Sequence, residues 1–339
     1  MARRGCAGDT LARVTRLPRY FLTSAVLVIS LATSVCFVSN NLNSRVQHRD
    51  ETVAQQVALI AKAPLPFDGQ PSDQPEFRNR VLFPLAMVGV ARLTGLENRE
   101  AFLLVRWVSA VFCFATLVWF SMTMTGNDIG ASALAATLLA LFFVTSFNHP
   151  WEHPTDFPDA TAMILGAWAS IRRRLLPALA VAAIAAANRE SAVFVGIVWI
   201  AVTTIPSTPA RAIRILQGVA MMVLTLSVTL ILRRVFALPG APALNSVAEN
   251  PLLPMLRDAI RHPFLSWAML LVASVAPTLA IIGARWRGLS ETSQRMVMAA
   301  GFAGAVSLAV GAPDEIRILT PAATMLVCSL VIPCQFLAE

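Results

Sequence analysis

The sequence predicts an all-α integral membrane protein, folded as a polytopic helical bundle of about ten spans. Hydrophobic residues make up 56% of the 339 residues and charged residues only 14%, with a mean hydropathy of +0.66. A soluble domain carries roughly 25% charged residues. The apolar residues also form continuous blocks, and because backbone in lipid must satisfy its own hydrogen bonds, these blocks are expected to be helices.

The basic residues predict how the chain is oriented. The net charge is +8, and every basic residue except Lys62 is an arginine. Arginine-rich segments stay on the cytoplasmic side of a membrane, so residues 1–19, which contain five arginines, are expected to form a cytoplasmic N-terminus. No stripe of basic and aromatic residues typical of nucleic-acid binding is present, so no nucleic-acid partner is predicted.

Residues 20–337 are then predicted to form one transmembrane domain. Its first span is Tyr20–Val38, and residues 39–100 are expected to form a long extracytoplasmic loop that carries interfacial helices. The apolar positions of Val53–Ala61 fall on one helical face, which suits a helix lying on the membrane surface. The apolar block Val81–Leu93 is short for a span and is predicted to be interfacial or re-entrant.

Nine further apolar blocks complete the predicted bundle. With this threading, the arginines at 172–174, 211–214 and 285–295 fall on the cytoplasmic side, and both termini lie inside. Arg233 and Arg234 depart from the pattern, because they would lie outside. The predicted blocks are Ala101–Met122, Ile129–Phe147, Ala160–Ile171, Leu175–Ala187, Ser191–Ile205, Ile215–Leu232, Phe264–Ala284, Met296–Val310 and Ala322–Phe336.

Acidic residues and histidines gather in one predicted extracytoplasmic turn, residues 148–159. It contains Glu152, His153, Asp156 and Asp159, and the last of these lies beside the positive end of the following helix. Helix capping explains one of these acids but not the whole group. The spacing matches no zinc motif, so no metal-binding residue is predicted and no cofactor is certain, although a divalent metal stays an open alternative.

Two other segments place arginine where it could bind a phosphate. Arg78 and Arg80 flank the start of an apolar block, where an arginine either grips phosphate bidentately or anchors the block at lipid headgroups. Arg189 and Glu190 separate two short apolar blocks. Ionisable residues at membrane depth are a functional hypothesis by default, and a structural ion pair or an interfacial turn is the alternative.

Two more candidates lie near the ends of the chain. Asp50, in the predicted outer loop, could act as a general base on an acceptor hydroxyl, or could cap the helix that starts near Thr52. Asp68 and Asp73 are its rivals in the same loop. Before the last span, the turn at Glu315 and Arg317 could cap a helix, and its arginine could reach a bound anion.

The layout resembles the membrane glycosyltransferases of the GT-C superfamily, which use polyprenyl-phosphate sugars. The resemblance covers most of the chain and rests on five short motifs in order. These are an acidic residue with surface helices in the first outer loop (Asp50-Glu51), an arginine-rich stretch ending in proline (Arg78–Pro84), an acidic turn before a short span (Asp156 and Asp159), a basic–Glu pair (Arg189-Glu190), and a Glu-x-Arg turn ending in proline (Glu315–Pro321).

The resemblance implies inverting transfer of a sugar from a polyprenyl-phosphate donor to a glycan, lipid or protein acceptor of the cell envelope. The reaction would occur at the outer face of the bacterial inner membrane, with membrane lipids around the site. Asp50 would be the base, and Asp159 or Asp156 would orient the acceptor or a metal. The donor phosphate would be gripped by Arg80, Arg189 or Arg317, and further substrate contacts are expected from Arg78, Glu152, His153, Glu190 and Glu315.

Two other functions remain open from the sequence. A transporter or flippase of a lipid-linked or anionic substrate should place charged groups along a path near the membrane middle. A non-catalytic subunit of envelope polysaccharide assembly would need no shared site. A transferase predicts instead that Asp50, Arg80, Asp159, Arg189 and Arg317 line one cavity open to the outer leaflet.

Overall fold

The computed structural model describes residues 6–41, 43–67, 70–72, 80–146, 155–204, 210–236, 267–310 and 319–332. Within these ranges the chain is almost entirely helical. Four helices are long and apolar enough to cross a membrane, namely Phe21–Asn41, Asn98–Thr125, Ile129–Ser146 and Arg211–Phe236. This confirms the predicted class of helical membrane protein, whereas the number of ten spans and the interfacial outer loop stay predictions.

The described α-helices are α1 (Cys6–Asn41), α2 (Asn43–Ala61), α3 (Leu82–Thr94), α4 (Asn98–Thr125), α5 (Ile129–Ser146), α6 (Asp156–Ile171), α7 (Leu175–Ala186), α8 (Phe194–Thr203), α9 (Arg211–Phe236), α10 (Trp267–Arg285), α11 (Glu291–Val310) and α12 (Thr320–Leu330). A 3-10 helix, Glu190–Val193, leads into α8, and a second one, Trp286–Gly288, follows α10. From α4 onward the helices follow the predicted apolar blocks closely.

The predicted outer loop contains two helices and one short hairpin. The amphipathic stretch Val53–Ala61 is the second half of α2, and the short apolar block at 81–93 is α3. Between them, β1 (Leu65–Phe67) pairs antiparallel with β2 (Gln70–Ser72). The loop is therefore built from regular elements in its described part.

Local sequence sets the ends of several helices. Glu97 and Glu100 form a reciprocal capping box at the start of α4, which satisfies backbone N–H groups that the first turn leaves open. Gly95 and Gly126, with φ of 75° and 68°, end α3 and α4 in the left-handed conformation that glycine adopts without steric cost.

Helix α6 lies in the centre of the bundle, packed against α4, α7, α8 and α12. Phe157 at its start contacts Phe143 of α5, with ring centroids 4.7 Å apart, and both rings are buried. The outer helices α1 and α9 expose large apolar side chains such as Phe21 and Leu216, as expected of faces in contact with lipid. The polar start of α6 is therefore held inside the protein.

Helices α6 and α7 are short for membrane helices. Their 16 and 12 residues correspond to about 24 and 18 Å, whereas the hydrocarbon core of a bilayer is about 30 Å thick. Both helices meet at one end in the turn Arg172–Arg174. If that turn lies at one membrane surface, the start of α6 and the end of α7 lie below the other surface.

Candidate functional site

The turn between α7 and α8 joins three segments that are distant in sequence. The carbonyl of Ala187 accepts hydrogen bonds from the backbone N–H groups of Val81 and Leu82, at 2.9 and 3.0 Å. The buried Asn188 side chain donates through Nδ2 to the carbonyl of Thr155, at 2.9 Å. These bonds fix the start of α3 and the start of α6 against the end of α7.

Arg189, in this turn, pairs with two carboxylates of α6. Its Nη1 lies 3.2 Å from Oδ1 of Asp156 and 3.9 Å from Oδ2 of Asp159. All three side chains are buried. Both aspartates lie in the first turn of α6, where the positive end of the helix dipole also stabilises negative charge. The helix terminus and Arg189 together allow two carboxylates to be buried side by side.

Glu190, the next residue, lies between two other arginines. Its Oε1 accepts from Nη2 of Arg233 at 2.7 Å, and its Oε2 is 3.5 Å from Nη2 of Arg80. Arg80 comes just before α3, and Arg233 belongs to the last turn of α9. We call the six residues Arg80, Asp156, Asp159, Arg189, Glu190 and Arg233 the charge cluster; they contribute three positive and three negative formal charges.

Asp159 is the carboxylate of the charge cluster in which one oxygen has no hydrogen-bond partner among the described residues. Its Oδ1 accepts a hydrogen bond from the hydroxyl of Ser191 at 2.7 Å. Its Oδ2 is buried and has no hydrogen-bond partner among the described residues, because the 3.9 Å to Arg189 exceeds hydrogen-bond length. This oxygen can therefore accept a proton or a hydrogen bond from a ligand hydroxyl.

An apolar cavity of about 360 Å³ lies beside the charge cluster. Its lining comes from the start of α3 and from α4, α6 and α7, and it includes Pro158 and Asn188, which adjoin Asp159 and Arg189 in sequence. Phe112 and Ile184 also line it and are 58% and 61% exposed on the outside of the bundle. We call it the lateral cavity, because it opens sideways, where lipid would lie.

The structure brings together five of the residues singled out in the sequence: Arg80, Asp156, Asp159, Arg189 and Glu190. Arg78, Glu152, His153, Glu315 and Arg317 lie outside the described residues, as do Asp68 and Asp73. Where these seven side chains lie relative to the charge cluster stays a prediction.

Asp50 is not brought into the charge cluster. Its carboxylate is 79% exposed and lies 3.6 Å from Nη1 of Arg99, at the start of α4. On the same helix, Leu59 packs with Val81 and Ala187 beside the cluster. Asp50 precedes Leu59 by nine residues, or about 13 Å along α2. The described residues therefore do not form the expected cavity shared by Asp50 and Arg189.

Arg233 is the member of the charge cluster that the sequence did not identify as a candidate. Arg233 is visible in the sequence only as an exception, an arginine on the side predicted to be extracytoplasmic. Its bond to Glu190 explains the exception, because the cation compensates a carboxylate there. An arginine that departs from the predicted orientation was thus the signal in the sequence that could have identified it.

A metal ion at the charge cluster would have to compete with an arginine for the carboxylates. Among the described residues, no group of three or more histidine, cysteine, aspartate or glutamate side chains is placed to hold a metal ion. The two aspartates of the charge cluster both pair with Arg189, so a divalent cation would have to compete with that guanidinium for them.

No protein-family model matches the chain, and no curated protein or solved structure matches it. The resemblance to the GT-C glycosyltransferases stays a prediction from sequence motifs. Of those motifs, the acidic turn at Asp156 and Asp159 and the Arg189-Glu190 pair lie in the charge cluster.

Proposed function

We propose that this protein is a glycosyltransferase that moves a sugar from a polyprenyl-phosphate donor to a cell-envelope acceptor. One observation carries the proposal: the buried Arg189 and Asp159 are neighbours in sequence of Asn188 and Pro158, which line an apolar cavity that opens sideways. A substrate that meets both surfaces must combine a charged group with an apolar body. A lipid-linked phosphate sugar has this combination, and arginine suits its phosphate because the guanidinium keeps its charge when buried.

The two ends of the bundle support a site at the outer face of the bacterial inner membrane. Helix α6 starts in the charge cluster and is followed by Arg172–Arg174, and α9 starts at Arg211 and reaches the cluster at Arg233. The end opposite the cluster is therefore rich in arginine, which favours a cytoplasmic location for that end. The charge cluster then faces the extracytoplasmic leaflet.

The described residues suit distinct roles in an inverting transfer. The acceptor oxygen bonds to the anomeric carbon as the bond from that carbon to the phosphate oxygen breaks. The leaving phosphate takes the bonding electron pair, and Arg189 is the buried cation that can stabilise the charge it gains. The Oδ2 of Asp159, which has no hydrogen-bond partner among the described residues, takes the acceptor proton, a role for which it is better placed than the exposed Asp50.

A transporter or flippase is the second candidate, because the lateral cavity would also admit a lipid that is only moved. Its charged groups should line a path near the middle of the membrane. In the described part of the bundle, the middle of α6 instead carries buried apolar side chains such as Met163, Ile164 and Ala167. This packing favours a reaction at one face.

The proposal predicts sugar transfer with release of polyprenyl phosphate. The purified chain in nanodiscs would be given radiolabelled polyprenyl-phosphate hexoses and pentoses together with an envelope extract as acceptor source. Arg189→Lys should slow transfer about 10- to 1,000-fold, because a lysine cannot reproduce the planar, multidentate contacts of the guanidinium. Arg295→Lys is the matched control: Arg295 pairs with Glu291 at the arginine-rich end, and transfer should not change.

The same purified chain, reconstituted into sealed vesicles, separates the alternatives. In sealed vesicles, movement of the labelled lipid between leaflets without cleavage of its phosphate bond would contradict the transferase and support the flippase. If neither transfer nor movement occurs with a folded protein, the non-catalytic subunit replaces both proposals.

A further inference from the structure

We infer that the arginine-rich end of the bundle binds an anionic phospholipid at a specific site. The site consists of Arg174, Arg211 and Arg214, which we call the basic rim, and the phosphate of the lipid headgroup is the group that these arginines bind. The inference concerns the end of the bundle opposite the charge cluster and does not depend on the proposed transferase. The surroundings of Arg214 are the observation from which it starts.

Arg214 is a half-buried cation whose partners are neutral. Its Cζ lies 5.9 Å from the centroid of the Trp199 ring, and its Nη1 donates to Oε1 of Gln217 at 3.3 Å. Among the described residues, no carboxylate pairs with it. At the same end of the bundle, Arg295 does have such a partner, Glu291, at 2.7 Å. Because a cation withdrawn from water is normally paired with an anion, Arg214 requires an anion that the described residues do not supply.

Arg211 lies on the same face of α9 as Arg214. The two are three residues apart, and Gly218 and Met221 continue this face to the contacts with α8 and α7. Both cations lie at the start of α9, where the positive end of the helix dipole disfavours them, and like charges at this spacing repel each other. The electrostatics of the helix therefore do not explain the pair, whereas an anion bound to both would stabilise it.

Arg174 reaches the same corner of the bundle from α7. It directly precedes Leu175, the first residue of α7, and Leu175 packs in one cluster with Trp199 and Met221. Arg174 and Arg211 are exposed, and neither has a carboxylate partner among the described residues. The three cations of the basic rim thus lie around the Trp199 side chain, where α7 and α9 begin.

The surface next to the basic rim identifies the anion as a lipid. Leu176 follows within one turn of Arg174, and Ile213 and Leu216 flank Arg214; all three apolar side chains are exposed. Exposed apolar side chains beside cations mark the boundary between hydrocarbon and headgroups, which is where phospholipid phosphates lie. An anionic phospholipid can therefore place its phosphate on the basic rim and its acyl chains on these apolar side chains.

The test is native mass spectrometry of the full chain in detergent, titrated with phosphatidylglycerol and with phosphatidylcholine of the same acyl chains. Phosphatidylglycerol should bind about 10-fold more tightly, because phosphatidylcholine neutralises its phosphate with its own ammonium group. Glycerol phosphate, which has the phosphate but no acyl chains, should not displace phosphatidylglycerol at equal concentration.

Two double variants remove the same charge from the same end of the bundle. Arg174→Gln combined with Arg211→Gln takes two cations from the basic rim and should weaken binding of phosphatidylglycerol about 30-fold. Arg285→Gln combined with Arg287→Gln is the matched control, because these arginines lie at the end of α10, which packs on α5 and α12; binding should not change. All four side chains are exposed, so both variants should fold, and the melting temperature checks this. Should the variant of the basic rim fail to fold, the comparison of the two phospholipids on the unaltered chain still decides.

Three results would overturn the inference. Equal binding of the two phospholipids would show that the headgroup charge is not recognised. Equal weakening by the two double variants would show that positive charge attracts the lipid without a specific site. Displacement by glycerol phosphate at equal concentration would assign the basic rim to a soluble phosphate. Each of these results leaves the proposed function standing, because sugar transfer is measured separately and concerns the opposite end of the bundle.

Discussion

Asp159 combines three properties that no other carboxylate of the charge cluster shares. It is buried, one of its oxygens is held by Ser191, and the other has no hydrogen-bond partner among the described residues. Asp156 bonds to Arg189 at 3.2 Å, and both oxygens of Glu190 face arginines. The proposed proton transfer therefore depends on this single side chain.

Replacing Asp159 with asparagine should lower the rate of sugar transfer about 100-fold or more, because the amide still accepts from Ser191 but cannot take a proton. The loss of one charge leaves Arg189 paired with Asp156, so the protein should still fold. The measurement is the rate of transfer together with the melting temperature in detergent. Asp128→Asn is the matched control, since asparagine caps α5 as well as aspartate does.

The same assay decides between the two candidate bases. If Asp50→Asn abolishes transfer and Asp159→Asn retains it, the base returns to the outer-loop aspartate favoured by the sequence resemblance. The exposed pair of Asp50 with Arg99 should contribute little to stability, about 0–1 kcal/mol. A loss of transfer in Asp50→Asn would then report chemistry and not unfolding.

At the scale of the helices, the crossing of α8 and α9 determines where Arg233 meets Glu190. The two helices touch at Gly196 and Gly218, where a Cβ atom added to Gly196 would lie 2.7 Å from the carbonyl oxygen of Gly218. A Cβ on Gly218 would overlap with the side chain of Ile200. The close approach therefore requires glycine on both helices.

Gly218→Ala should force α9 away from α8 and weaken the contact of Arg233 with Glu190. We expect a loss of about 1–3 kcal/mol in the free energy of unfolding, the usual cost of overpacking, and a lower rate of transfer. Gly301→Ala is the control, because no atom lies within 4 Å of its added Cβ; alanine there should be neutral or slightly stabilising. Equal behaviour of the two variants would contradict the role of the crossing.

The helices from α4 onward were predictable from the sequence because each contains a continuous apolar block. The block at 129–147 is α5 (Ile129–Ser146), and the block at 175–187 is α7 (Leu175–Ala186). The start of α1 was not predictable from hydrophobicity, since the helix extends back to Cys6 through an arginine-rich segment. Apolar length identifies the part of a helix that can lie in lipid and does not report where its hydrogen bonds end.

The candidate site was predictable only in part. Charges within apolar surroundings made Arg189, Glu190, Asp156 and Asp159 conspicuous, since such residues are costly to bury. Their partner Arg233 lies 43 residues further along the chain, and only the packing of α9 on α8 brings it to Glu190. Asp50 lies away from these charges, which the sequence could not show because it does not give the direction in which α2 runs over the bundle.

At the scale of the whole molecule, charge is distributed unequally between the two ends. The cluster end holds cations and carboxylates in ion pairs, whereas Arg172–Arg174, Arg211 and Arg214 crowd the other. Through the membrane potential and anionic lipids, such an imbalance favours retention of the arginine-rich end in the cytoplasm.

This orientation predicts which surface is reachable from outside. Ala61 ends α2 at the cluster end and is exposed, and Arg287 is exposed after α10. Ala61→Cys should react with a membrane-impermeant maleimide in intact spheroplasts, and Arg287→Cys only after permeabilisation. Cys36, Cys113 and Cys328 are buried and should react in neither case; Cys6 and Cys334 would be replaced by serine. The reverse labelling would contradict the outer-face site.

The order of residues in the charge cluster has a consequence for biosynthesis. When the turn at Arg189 and Glu190 emerges from the ribosome, Asp156 and Arg80 have already been synthesised. An oppositely charged partner is therefore present for Arg189 and for Glu190. Arg233 follows 43 residues later, a delay of about 2 to 9 s at 5–20 residues per second. Until then the other five residues of the charge cluster carry two positive and three negative formal charges, and Arg233 of α9 brings the cluster to neutrality.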